Sequence, residues 1–217
     1  MKKLLTLSLL LLALATARAT VTINLGAANL YNANGSQLMQ PGMLVQLVAS
    51  TTNSIFDTPR DGSYTGGSSD DVVLASFSIN QGAGATNVAL IIDFASFPNL
   101  TTGDPLMLRW FPTIAGPANP SMTIPAGPTG GSPFGQFRTD IVEAENGSNF
   151  AWTMPADSAT ITLNFLTQMI NPASTHPESD GFANLTVSAI PEPSTYAFLA
   201  LGLVGAVLAR RRLKLAA

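Results

Sequence analysis

The chain has 217 residues with 13 acidic and 10 basic side chains, a formal net charge of −3 and no cysteine. Seven of the ten cations lie in the two end segments, so residues 20–189 carry three arginines (Arg60, Arg109 and Arg138) and no lysine against twelve acids, a net charge of −9. Such a surface argues against nucleic acid as a partner, because phosphates need cations, and a chain without cysteine has no disulfides to rely on.

Residues 1–19 read as a secretory signal helix. Lys2-Lys3 forms the charged segment, Leu4 to Ala15 the apolar one, and Ala17 and Ala19 supply the small residues that predict a cut before Thr20. The candidate domain is then residues 20–189, which is 170 residues and enough to bury a sizeable core.

Within the domain the dominant period is two. Val21, Ile23 and Leu25 alternate with Thr20, Thr22 and Asn24, and further runs follow at Met43–Ala49, Val73–Ile79, Val88–Phe94 and Leu106–Trp110. Phe137, Thr139 and Ile141, then Ile161, Leu163 and Phe165, then Leu185 and Val187 complete at least eight expected strands. Gly, Pro, Asn and Ser bound each run, and no stretch between the two ends holds a helical period for three turns. The expected fold class is all-β, an antiparallel β-sandwich of jelly-roll or immunoglobulin-like kind, because strands that each bury one face need a second sheet to cover it. The first strand is expected to pair close to the last, at Phe182–Ser188. Gly116 to Phe134, with five prolines, is expected to be irregular throughout.

Chemistry-bearing patterns are sparse. The chain has one histidine, His176, in a turn-rich loop, and lacks Gly-x-Ser-x-Gly, His-Glu-x-x-His and phosphate-cradling glycine loops. Glu143 and Glu145 share a strand face at a spacing near that of a glycosidase pair, but they lead into the wet turn Asn146-Gly147-Ser148. Asp57, Asp61, Asp70 and Asp71 lie on one glycine-rich segment whose oxygens suit a weakly bound calcium ion, although the ordered Asp-x-Asp-x-Asp-Gly spacing is missing. No other cofactor is expected. The threonine rows Thr20-Val-Thr22 and Thr160-Ile-Thr162 are read as the wet sides of strands.

Residues 190–217 form the last segment: Ile190-Pro191-Glu192-Pro193-Ser194-Thr195, an apolar run Tyr196–Ala209, then Arg210, Arg211, Arg212 and Lys214. Two prolines hold the strip extended, and Ser194 or Thr195 caps the helix behind it. Fourteen apolar residues span about 21 Å against a hydrocarbon core of about 30 Å, so a membrane helix must extend over about residues 195–212 with its arginines snorkelling to the headgroups. Those cations place this end in the cytoplasm.

The order of Pro-Glu-Pro, short apolar helix, arginine cluster and chain end resembles the PEP-CTERM sorting signal of bacterial envelope proteins. The resemblance covers Ile190 to Lys214 only. It implies recognition at the membrane by an exosortase, a cysteine-dependent processing enzyme, with Pro191, Glu192, Pro193 and Ser194 as the sorting motif and Arg210, Arg211, Arg212 and Lys214 as the membrane stop. The expected protein is exported, anchored in the inner membrane as a precursor, then displayed at the cell surface or released. The expected role of its sandwich is structural or interactive and non-catalytic, with extracellular polysaccharide a candidate partner. The rival reading is a secreted carbohydrate-active enzyme using Glu143 and Glu145.

Overall fold

The computed structural model describes residues 20–67, 70–123, 125–138, 152–166 and 181–189. Among these residues eight strands carry the fold: β1 (Thr20–Ala28), β2 (Met43–Ser50), β3 (Asp71–Ser78), β4 (Thr86–Asp93), β5 (Leu106–Ala115), β6 (Pro133–Phe137), β7 (Thr160–Leu166) and β8 (Leu185–Thr186). A single 3₁₀ turn at Phe94–Ser96 begins on Asp93, whose side chain accepts from the Ala95 N–H at 2.9 Å.

The strands form two sheets, ordered β4-β1-β7 and β3-β2-β5-β6-β8. In β1 the alternation in the sequence becomes alternation in space: Val21, Ile23, Leu25 and Ala27 are buried between the sheets and Thr20, Thr22 and Asn24 face outward. Leu90 and Ile92 of β4 and Leu163 of β7 join them against Val45, Leu47, Phe77, Leu108 and Trp110 of the larger sheet. At one end, Phe137 stacks on Phe165 with ring centroids 4.1 Å apart and meets Trp152 edge-on at 5.2 Å. Each such side chain removed from water contributes about 1.5–3 kcal/mol, which makes this layer the main source of stability in a disulfide-free chain.

The larger sheet is buried on both faces. From Leu44 onward β2 has no exposed position, because a second cluster of Leu44, Val48, Val73, Phe111 and Phe134 packs on the outer side beneath Tyr64 and Val187. The cover consists of irregular chain. Residues 56–66 and 125–131 lie over the strands, which is why Met43–Ala49 reads in the sequence as a continuous apolar run.

Three expectations need correction. The sandwich is not wholly antiparallel: β1 pairs antiparallel with β4 but parallel with β7, from Thr22↔Thr160 to Ala28↔Leu166. The chain enters β7 alongside the start of β1, where Ser158 N donates to Thr20 O and Thr22 N to Ala159 O, both at 2.9 Å, and that entry fixes a parallel run. The last strand does not lie beside the first. With both sides of β1 taken by β4 and β7, β8 pairs instead with β6 in the other sheet, through Phe134↔Leu185 and Pro133↔Thr186. The segment Gly116 to Phe134 is an ordered loop whose last two residues already belong to β6, so that strand begins at Pro133 and not at Phe137; Thr139 and Ile141 lie outside the described residues. The loop is held by Gly116 N on Gly42 O at 2.8 Å and by reciprocal bonds between Ser76 and Ser121 at 2.8 and 2.9 Å.

Gly135 lies opposite Trp110 in the β5–β6 ladder, and the indole crosses the space a side chain would fill: a Cβ there would stand 2.1 Å from Trp110 Cε2. Gly135→Ala therefore overpacks a closed core and is expected to cost roughly 3 kcal/mol in urea unfolding followed by tryptophan fluorescence. A loss under about 0.5 kcal/mol, the size of an ordinary surface substitution, would show that Trp110 is free to move away.

Candidate functional site

Arg109 is the one cation inside the apolar run Leu106-Met107-Leu108-Arg109-Trp110-Phe111. Leu108 and Trp110 face the inter-sheet core, so the pleat turns Arg109 to the outer face of the larger sheet, where it is fully buried. Register aligns Ser76, Gln46, Arg109 and Gln136 across four neighbouring strands as one polar rung between apolar ones. Gln46 Nε2 donates to Ser76 Oγ at 3.1 Å. Arg109 Nη1 donates to the Tyr64 carbonyl at 2.8 Å, and Nη2 donates to the Asp57 carbonyl.

Two carboxylates attend this cation. Asp71 Oδ2 accepts from the Asp57 N–H at 2.7 Å, and the charges of Asp71 and Asp57 both favour the protonated guanidinium. Burial outweighs them and brings Arg109 down to about 10, which still leaves it charged at neutral pH. Burial likewise pushes the Asp71 carboxyl above its usual range, against the pull of the Asp57 N–H and the Arg109 charge.

Through this clasp the sheet holds the loop at 57–66, and the loop holds the end of the domain. Gly66 has φ +71 and closes the loop so tightly that a Cβ would lie 2.6 Å from Asp57 Cβ. Tyr64 packs edge-on against Phe111 at 5.1 Å and donates its hydroxyl to Ala126 O at 2.6 Å; burial raises that phenol to about 12. Gly62 N donates to Pro128 O at 2.8 Å, and Asp61 Oδ1 accepts from Gly130 N at 2.9 Å. On the other side Ser188 N donates to Pro59 O at 2.9 Å and its carbonyl accepts from Asp61 N at 2.8 Å, a parallel bridge between Arg60 and Ser188. Val187 exchanges bonds with Ser132 and Gly131 at 2.9 and 2.8 Å. The chain leaves the sandwich at Ser188–Ala189 between two pinned loops.

Of the four aspartates that suggested a calcium site, the fold draws Asp57 to Asp71 and carries Asp61 to the exit. Asp57 and Asp71 flank Arg109, Asp61 ties the exit, and the Asp70 carbonyl accepts from Thr51 N and Oγ1 at 2.9 and 2.8 Å. Asp70 Oδ2 and Asp71 Oδ1 are buried without a hydrogen-bond partner. Among the described residues no three His, Cys, Asp or Glu side chains gather to hold a metal ion. Ala17, Ala19, Glu143, Glu145, His176, Pro191, Glu192, Pro193, Ser194, Arg210, Arg211, Arg212 and Lys214 lie outside the described residues, as do the signal segment and the apolar helix at 195–212. Among those described, no helix is long and apolar enough to cross a membrane.

The described chain ends at Ala189, with Ile190 and the Pro-Glu-Pro strip next in the sequence. Residues 189–212 match the PEP-CTERM protein-sorting motif. No curated protein and no solved structure matches the chain. The PEP-CTERM motif marks an exported protein sorted by an exosortase, and its first residue follows Ser188, which is bonded to the loop at 57–66. Arg109 and Tyr64, which build that exit from beneath, carry no motif; the signal for Arg109 is a lone charge in an apolar strand.

Removing the cation strands the Asp71 charge and two inward carbonyls. Arg109→Met is expected to lose about 3–5 kcal/mol in denaturant unfolding and to open residues 57–67 to limited proteolysis. A loss under about 1 kcal/mol with the loop still protected would show that the loop is held without the cation.

Asp71 adds a pH dependence with a definite sign. A carboxyl whose folded pKa is raised binds its proton more tightly when folded, so its contribution is fully present below the unfolded carboxylate pKa and is lost as pH rises through the folded value. Asp71→Asn keeps the acceptor for the Asp57 N–H and removes that loss. The Tm of the variant relative to wild type should therefore rise as the pH climbs above the ordinary aspartate range, and a flat difference would contradict the assignment.

Proposed function

We propose that residues 20–189 are a non-catalytic structural or interaction module of the cell envelope, carried out by the signal segment and processed through the PEP-CTERM tail. The observation that carries this reading is the PEP-CTERM match at 189–212, which begins one residue after Ser188, a residue that hydrogen bonds tie to the sandwich. In this reading the sandwich is the cargo and the tail its handle.

Chain chemistry supports the same reading. Arg109, the most deeply buried charge, spends its Nη donors on backbone carbonyls, and its acidic neighbour Asp71 spends an oxygen on a backbone N–H, which is the arrangement of a fold clasp. In the proposed course, Tyr196–Ala209 with its flanking residues holds the precursor in the inner membrane, Arg210, Arg211, Arg212 and Lys214 keep the end cytoplasmic, and the exosortase cuts near Pro191–Pro193. The sandwich then lies at the cell surface or beyond it.

Substituting Pro191, Glu192 and Pro193 together by alanine should leave full-length precursor in the membrane fraction, while wild type yields a shortened chain. Mass spectrometry of the mature wild-type C-terminus decides the matter: a terminus at Ala217 would sink the processing scheme.

A further inference from the structure

A groove of about 380 Å³ runs between the turn after β1 and the side of β5 not covered by β6, and four side-chain amides, Asn32, Asn34, Gln37 and Gln40, line it. The turn is braced. Tyr31 bridges Leu38, Asn32 N donates to Gln37 O at 2.9 Å, and Gly35, at φ +67, donates to Asn32 O at 3.2 Å. Behind it the Phe182 ring fills the space a Cβ on Gly35 would take, at 2.7 Å, and meets Tyr31 edge-on at 5.5 Å.

Hydrogen bonds inside the turn orient its amides. Asn34 Oδ1 accepts from Ser36 N at 3.1 Å and from Ser36 Oγ at 2.6 Å, and Asn32 Oδ1 accepts from Gln37 N at 3.4 Å. With the oxygens committed, the Nδ2 donors of both asparagines and the whole Gln37 amide have no partner among the described residues. Leu38, Pro112 and Pro133 give the groove apolar surface, and no charged side chain lines it although the domain carries −9.

These features select a ligand. Oriented amide donors beside amides that also accept suit a molecule whose hydroxyls do both, and the proline and leucine surface suits its C–H faces. An extended peptide fits poorly. β6 pairs with β5 only over Leu108–Trp110, so a peptide strand added beyond that point would face Pro112, which has no N–H, with Pro133 also lacking one nearby. An anionic polymer would find no cation in the groove. We propose that this groove binds a neutral glycan chain, which rests on the envelope reading above and names the ligand class of the module.

The test uses the full chain purified in an amine-oxide detergent, which carries no sugar headgroup to compete. Calorimetric titration with dextran, cellohexaose and laminarihexaose as neutral probes, alginate as an anionic one and casein-derived peptides covers the alternatives. Saturable binding of at least one neutral probe is expected, with none for alginate or the peptides. The double variant Asn34→Asp, Gln37→Glu keeps the turn acceptor and side-chain shape but replaces both donors with oxygens, and should weaken that binding by about tenfold or more. Gln37→Ala with Gln40→Ala, two exposed positions, provides a second variant with the same expected direction, and Thr160→Ala on the other sheet should leave binding unchanged. Matching melting curves assign the loss to the groove. The proposal is overturned if no neutral probe binds, if both groove variants bind as wild type does, or if peptides or alginate bind in their place. Mass spectrometry of the processed C-terminus reads the envelope scheme separately, so either idea fails without the other.

Discussion

Much of this structure depends on one buried positive charge. Arg109 lies in the middle of a sheet face from which water is excluded, and a guanidinium in that position is tolerable only if its donors and charge are answered from the protein. The answer comes from a loop and not from another strand. Carbonyls of Asp57 and Tyr64 point down onto the cation, and the same loop brings the apolar rings of Phe56 and Tyr64 over the outer face, so polar satisfaction and apolar cover arrive together. Clasp and cover are mutually dependent: without the loop the charge would be better solvated, and without the charge the loop would lose its central attachment.

The sequence was most legible where one face of a strand is wet. β1 and β4 show strict alternation, and their buried residues follow from periodicity, although β1 runs on to Ala28 and β4 spans Thr86–Asp93 with Phe94 in the turn beyond it. It was least legible where a pattern says which way a side chain points but not what lies there. Thr22 and Thr160 read correctly as outward-facing, yet nothing in their own neighbourhoods tells that the two strands run parallel side by side, because that depends on how the chain enters β7. Runs buried on both sides, as in β2, hide which residues face which layer.

The same limit applies to chemistry. Four aspartates close in sequence invite a shared ion, but the sequence does not say what each one meets: the Asp57 N–H donates to Asp71 beside Arg109 while Asp61 reaches the exit. The amides of the groove were equally hidden, since Asn32 and Gln40 belong to a turn and Pro112 to a strand far along the chain. The tail was legible for the opposite reason. Its meaning is carried by consecutive residues, 189–212, so no tertiary fold has to be known to read it.

The parallel pairing of β1 with β7 also governs the order in which an exported chain acquires structure. Thr22 and Thr160 are partners although roughly 140 residues separate them, and contacts of such range are made late because closing the intervening chain costs entropy. β4 lies much closer in the chain and reaches β1 first, leaving the other edge of β1 open until β7 arrives. Closure of the smaller sheet is therefore a late event, and little chain beyond β7 then remains before the segment that the processing enzyme reads.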